Sequence, residues 1–171
     1  LTKVMVLVDK GVDVKNRGQV LEQIRKNFDP IDSIMLISQA PTDTLDFTSK
    51  KTHYGNKLVI NATTKSEEVN LLPPVIPSDL KAIDSKINKW KLFKNALLVV
   101  SVDKDGSEVV KKLINSPLIS NIKIVAVVSS DIDVNNDVEV MWGIFTRFDP
   151  GDDIYFNKQE FIGAVPKYSG T

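Results

Sequence analysis

The sequence predicts an α/β fold built from two related strand–helix–strand units, with mostly parallel strands and helices packed on the sheets. Three observations predict it. A stretch near the N-terminus recurs 120 residues later without a gap. Each copy opens on a continuous run of β-branched residues. In each copy that run is followed by an apolar stripe at helical spacing that ends in Asp-Pro.

The repeat pairs residues 3–36 with residues 123–156. Twelve of the 34 positions are identical: Lys3/Lys123, Val8/Val128, Asp13/Asp133, Val14/Val134, Asn16/Asn136, Val20/Val140, Ile24/Ile144, Phe28/Phe148, Asp29/Asp149, Pro30/Pro150, Asp32/Asp152 and Ile34/Ile154. Val4–Val8 and Ile124–Val128 read as strands buried on both faces. Val20, Ile24 and Phe28, like Val140, Ile144 and Phe148, fall at i, i+4, i+8 on one side of a helix. Asp-Pro closes that helix, because proline disfavours helical geometry at the preceding residue and has no N–H to donate. Short strands are expected next, at Ser33–Ile37 and Asp153–Phe156, so that each copy reads as a βαβ unit.

The second copy has more ahead of it. Ala96–Val102 is a further buried-type strand, and Lys104-Asp105-Gly106-Ser107 is turn chemistry with Ser107 as the expected N-cap. Glu108–Asn115 is a short helix ended by Pro117. Asn95–Phe156 therefore reads βαβαβ. The stretch Ser38–Val69 is polar and suggests no regular element, and Leu71–Pro77 is a proline-stiffened connector. Ser78–Phe93 is expected to be a helix capped by Ser78, with Leu80, Ile83, Ile87 and Trp90 on one face. The expected division is residues 1–94 for the first copy and its connector and 95–171 for the second copy. The chain does not begin with Met, and Leu1-Thr2-Lys3 leads straight into a strand rather than a signal peptide. A natural N-terminus further upstream is expected.

Composition excludes several function classes. The 171 residues carry 22 basic and 22 acidic side chains, no net charge and no cysteine. A disulfide scaffold, a thiolate metal site and a cysteine nucleophile are thus absent together. The charge balance and three scattered arginines (Arg17, Arg25, Arg147) argue against a nucleic-acid partner, and no apolar run is long enough to span a bilayer. Lone His53 has no companion ligands at zinc spacing. Asp131–Asp137 fails as a calcium loop, because Asn136 and Trp142 stand where glycine and glutamate are required, and Asp103–Gly106 fails with Ile114 in the glutamate position. These acidic clusters read as strand-to-helix turns. The phosphate-binding glycine motifs and the nucleophile-elbow motif do not occur, and a receiver-type acidic constellation around Asp9 does not assemble. The Lys86–Lys94 stretch reads as a solvated face, and Trp90 and Trp142 as core or interface residues.

Longer motifs point further. Ser129-Ser130-Asp131-Ile132-Asp133-Val134, Val140-Met141-Trp142-Gly143 and Thr146-Arg147-Phe148-Asp149-Pro150 with Asp153 resemble the UbiD family of decarboxylases, in which Asp-Asp-Asp-Ile-Asp-Val, Val-x-Trp-Ala and Thr-Arg-x-Asp-Pro-x-x-Asp follow in that order. Thr44-Leu45-Asp46-Phe47-Thr48-Ser49 and Gly55-Asn56-Lys57 through Lys65 resemble the family's Leu-Asp-Phe-Ala-Ser and Gly-Ser-Lys ending. The first copy departs at Glu22, where the family has tryptophan, and at Lys26-Asn27 in place of Thr-Arg. The second copy lacks the Leu-Asp-Phe ending. The resemblance implies a carboxy-lyase parent acting on aromatic acids in ubiquinone or menaquinone synthesis, with prenylated FMN and a divalent metal. The cofactor, the metal and the catalytic residues belong to an N-terminal region that this chain does not match. No catalytic, cofactor-binding or metal residue is therefore assigned.

The expected role is that of the non-catalytic C-terminal portion, which packs on the catalytic domain of the same chain and builds a homo-oligomer. The expected location is cytoplasmic, with membrane-peripheral attachment of the parent left open. Two alternatives are a free-standing interaction or homodimerisation module and an α/β domain binding a cation at the Asp9–Asp13 or Asp131–Asp137 loops.

Overall fold

The computed structural model describes residues 2–65 and 71–157 and the backbone of 161–162 and 165–166. It contains two three-stranded mixed sheets with helices, an α/β fold with repeated units. The first sheet is formed by β1 (Val4–Leu7), β2 (Ile34–Pro41) and β3 (Tyr54–Asn61), with β3 in the centre, parallel to β1 and antiparallel to β2. Helix α1 (Arg17–Asn27) leads from β1 to β2. Its N-terminus is capped by the Asn16 side chain, which accepts from the Gln19 N–H, and its last turn carries Arg25 and Lys26 at the negative end of the helix dipole.

The second sheet is formed by β4 (Ile87–Phe93), β5 (Leu97–Val102) and β6 (Ile124–Ser129), with β5 in the centre, antiparallel to β4 and parallel to β6. Helix α2 (Gly106–Ile114) crosses from β5 to β6, and α3 (Asp137–Arg147) follows β6. All six residues of β5 are buried, as a strand covered on both faces requires. Val109 and Leu113 of α2 pack on Leu98, Val100 and Val102. Val140 of α3 packs on Leu97, Val99 and Val128 from the other side. A short antiparallel ladder, β7 (Phe161–Ile162) and β8 (Val165–Pro166), lies near the C-terminus.

The repeat survives folding: α1 and α3 have the same length, and their bounds are 120 residues apart. Several expectations do not hold. Ser78–Phe93 is not a helix. Asp79 caps a single 3-10 turn (Leu80–Ala82), the Asp84 carboxylate turns the chain by accepting from the Lys86 N–H, and Ile87–Phe93 runs as an edge strand. Ile87 and Trp90 alone fit a helical spacing, but a bulge between Ile87 and Lys89 brings Ile87, Trp90 and Leu92 to one face of a strand, and the free edge of β5 supplies partners for its N–H and C=O groups. The polar stretch Ser38–Val69 contains β3, the central strand of the first sheet. The first copy is not a parallel crossover, because β2 pairs antiparallel on the far side of β3 from β1. Asp153–Phe156 is not a strand. Its counterpart β2 pairs with β3, and no counterpart of β3 pairs with β6 among the described residues. Ser107 lies inside α2 rather than at its N-cap, which is Asp105 in the left-handed region at φ 58°. Finally, β4 belongs to the second sheet although it precedes residue 95.

Candidate functional site at the seam between the copies

The two copies meet through a reciprocal contact. Lys3, just before β1, donates to the Phe148 carbonyl at the end of α3, at 2.9 Å. Lys123, the equivalent residue before β6, donates to the Phe28 carbonyl at the end of α1, also at 2.9 Å. Each ammonium thus meets a free carbonyl at the negative end of the opposite copy's helix, where a cation is favoured. Contacts that map onto each other in this way define a pseudo-twofold relation, the self-complementary geometry of an isologous dimer, here within one chain. A residue near such an axis must approach its own equivalent. Arg17 does so, with its guanidinium 3.4 Å from the carbonyl of Asp137. Apolar groups follow the same logic: Leu21 of α1 reaches the core of the second sheet, and Phe148, Ile154 and Phe156 pack into the core of the first, while Ile124 touches both.

The seam is symmetric in position but not in charge. Lys3 also forms an ion pair with Asp46 at 2.7 Å and donates to the Thr48 hydroxyl at 2.9 Å, and both members of the pair are largely buried. Burial acts to raise the Asp46 pKa, but hydrogen bonds from Lys3 and Thr48 outweigh it and hold the carboxyl below its ordinary value. Lys123 is depressed instead, chiefly by burial, with Asp29 opposing. Next to Lys3, buried Asp149 accepts from Asn56 at 2.8 Å and from the Gly151 N–H at 2.7 Å, while its own N–H donates to Asp153 at 2.7 Å. Asp46-Phe47-Thr48 and Gly55-Asn56 of the first copy therefore clasp Phe148-Asp149-Pro150-Gly151 of the second. A Cβ on Gly151 would stand 2.3 Å from the Asn56 amide. Gly151→Ala is expected to displace Asn56 and cost about 1–3 kcal/mol, readable as a lower urea midpoint with an unchanged slope.

The acidic turns hold the backbone. Asp13 and Asp133 accept from the N–H groups of Lys15 and Asn135, and their own N–H groups donate to Gln19 and Glu139, again 120 residues apart. Asn136 caps α3. Asp9 bonds both the hydroxyl and the N–H of Thr64, which lower its pKa. Asp131 forms a two-pronged pair with Arg147 at 2.6 and 2.8 Å, and the Arg147 hydrogen bond lowers the Asp131 pKa. Asp9, Asp46 and Asp131 stay ionised at neutral pH, so they act as acceptors rather than proton donors. His53 sits in the turn before β3 at φ 66°.

These residues do not fit the groups that the UbiD resemblance implies. Among the described residues no three His, Cys, Asp or Glu side chains gather to hold a metal. Open helix N-termini are the ready-made seats for a flavin phosphate. Those of α1 and α3 are filled by their own Asn side chains, and that of α2 is flanked by Asp105 and Glu108. No helix among the described residues is long and apolar enough to cross a membrane.

Beside the seam lies apolar surface. Trp90 packs on the core of the second sheet. Trp142, by contrast, is 58% exposed, with Arg147 over its ring, and Val138 and Phe145 are exposed on the same side of α3. The Leu45–Thr48 loop meets the end of α3 where Thr48 faces the Phe148 carbonyl, and it exposes 74% of Leu45 and 87% of Phe47. Sequence reasoning gave Lys3 and Lys123 no role. The available signal was a lysine at the same place in both copies, directly ahead of a buried strand.

The family described as the 3-octaprenyl-4-hydroxybenzoate carboxy-lyase (UbiD) C-terminal domain matches residues 1–62 and 72–166. An uncharacterized protein of Synechocystis sp. is 36% identical over 97 residues, covering 52% of this chain and 18% of the relative. An uncharacterized protein of Archaeoglobus fulgidus is 29% identical over 101 residues, covering 57% and 21%. Among solved structures, the vanillic acid decarboxylase of Sedimentibacter hydroxybenzoicus is 26% identical in its open and closed forms, covering 47% of this chain and 18% of that one, with TM-scores of 0.37 and 0.38. The chain spans about one fifth of the length of these relatives. With both of its copies matched by the family's sequence pattern, the chain belongs to the UbiD C-terminal domain family.

Proposed function

We propose that this chain is the non-catalytic assembly portion of a UbiD-like aromatic-acid carboxy-lyase, with the parent enzyme in quinone biosynthesis. Prenylated FMN and the divalent metal are held by the catalytic region of that parent. The observation that carries this reading is the apolar surface of Leu45, Phe47, Trp142 and Phe145. Leu45, Phe47 and Trp142 belong to the family motifs, and the Lys3 and Thr48 contacts with Phe148 fix the two segments that carry this surface together. Exposed aromatic side chains of this kind are what protein interfaces bury. The surface packs on the catalytic region and on further copies of the chain, in a cytoplasmic enzyme.

The purified chain is expected to show no flavin absorbance and no decarboxylation of hydroxybenzoate-type acids when supplied with prenylated FMN and Mn²⁺. Tight flavin uptake or turnover would remove the reading. Sedimentation is expected to give a mass above that of one 19.0 kDa chain. Phe47→Ser with Trp142→Ser should return it to a single chain with an unchanged far-UV CD spectrum. A wild-type chain that stays monomeric at high concentration would remove the oligomer from the proposal.

A further inference from the structure

The seam is tied at its polar contacts and open between them. Val4, Val6 and Val8 of the first copy and Ile124 and Ala126 of the second line one crevice, with Leu21 of α1 on its wall. All six are only partly buried, although they belong to or border the two cores that meet there. Ala126 stands where the first copy has Val6, and the smaller side chain widens the crevice at that point.

The repeat shows what a lysine at this seam takes. Lys3 is held by two oxygens of different kinds, the Phe148 carbonyl and the Asp46 carboxylate. Lys123 has the equivalent carbonyl, that of Phe28, but among the described residues no carboxylate pairs with it. Asp29 acts on it only from a distance, and its carboxylate accepts from the Ile31 N–H instead. The Lys123 ammonium is partly buried on the lining of the crevice, and the like charge of Lys65 is close by. A desolvated ammonium with one neutral acceptor is short of a counter-charge. The other cations of the lining differ. Lys91, Lys94 and Arg147 have carboxylate partners in Asp137, Glu22 and Asp131, while Arg17, like Lys123, bonds only to a carbonyl.

We infer that the crevice between the copies is a binding site for a long-chain carboxylate, its head on the Lys123 ammonium and its alkyl chain along Ile124, Ala126, Leu21 and Val6. The head takes at Lys123 the part that Asp46 plays at Lys3. The tail follows from the wall: β6 carries no polar side chain between Lys123 and Ser129, and its six residues run for about 20 Å. An apolar site with one well-placed polar group fixes the orientation of such a ligand. The inference stands apart from the proposed enzyme role, since it involves neither the Trp142 surface nor a flavin.

The test is a titration of dodecanoate, below its micellar concentration, into the intact ¹⁵N-labelled chain. Amide shifts should centre on Ile124–Val128, Val4–Val8 and Leu21. Affinity should rise by about three- to fourfold for each methylene added between octanoate and dodecanoate. Lys123→Met should weaken binding by about tenfold or more with an unchanged far-UV CD spectrum, and Lys123→Arg should retain most of it. Dodecanol, which has the chain without the charge, should bind the native chain weaker by a similar factor, a comparison that needs no variant to fold. Equal affinity for dodecanol and dodecanoate, or undiminished binding to folded Lys123→Met, would overturn the inference. So would shifts centred on Leu45, Phe47 and Trp142, or none. A peptide of residues 44–49 that displaces dodecanoate at lower concentration than dodecanoate itself binds would place a protein segment at Lys123 and overturn it as well.

Discussion

Replacing Lys3 by methionine is expected to destabilise the fold by about 1.5–3 kcal/mol, because it removes the ammonium from the Asp46 carboxylate, which keeps only its bonds from Thr48, and takes away the shorter of the two side-chain donors to the Phe148 carbonyl. The equivalent change at Lys123 should be close to neutral, within about 1 kcal/mol: the lost hydrogen bond to Phe28 is offset by release of an ammonium that burial disfavours. The pH dependence separates the two sites. The folded-state pKa of Asp46 lies below its ordinary value of 3.8, so the stability it contributes is fully present above that value and is lost as pH falls through the folded pKa. Lys3→Met should flatten that acid limb. The folded-state pKa of Lys123 lies below 10.5, so between the folded value and 10.5 the unfolded chain binds more protons and stability rises with pH. Lys123→Met should remove that rise. Urea unfolding from pH 2.5 to 10.5 measures both. Equal losses for the two lysines would show that the seam is symmetric in energy as well as position.

Phe28→Ala is expected to cost about 3–5 kcal/mol, and Phe148→Ala about half of that. The two side chains occupy the same repeat position and reach the same core. Phe28, however, is 4% exposed among Ile24, Ile34, Leu58, Ile60 and Ala62, whereas Phe148 lies at the edge of that cluster and is half-buried. The sequence alone predicts equal costs for the pair. Matching midpoints for the two variants in thermal or urea unfolding would mean that burial is shared evenly across the seam.

The elements that were legible in the sequence are those whose residues suffice to identify them. Val4–Leu7, Leu97–Val102 and Ile124–Ser129 are β-branched runs. The stripes of α1 and α3 are bounded by an Asn cap in front and Asp-Pro behind. β3 was hidden because Gly55, Asn56 and Lys57 interrupt it, and its order comes from a strand on each side. β4 was misread because Leu80, Ile83, Ile87 and Trp90 satisfy a helical period, while the turn at Asp84 and the vacant edge of β5 impose alternation. The acidic turns were legible as turns, since Asp and Asn serve neighbouring N–H groups only a few residues away. The contacts of Lys3 with Phe148 and of Lys123 with Phe28 were not legible, as they join residues 145 and 95 positions apart.

By itself the sequence determined the duplication, the five elements carrying strong local patterns and the family, because each of these is written in residue type and spacing along the chain. Only the tertiary structure decided that the copies face each other through a reciprocal, pseudo-twofold contact, that Asp153–Phe156 packs as an arm rather than pairing as a strand, and that Met5, Leu7 and Met35 are left bare. Pairing and burial depend on which groups meet in space, and the residues that meet at the seam lie far apart in the chain.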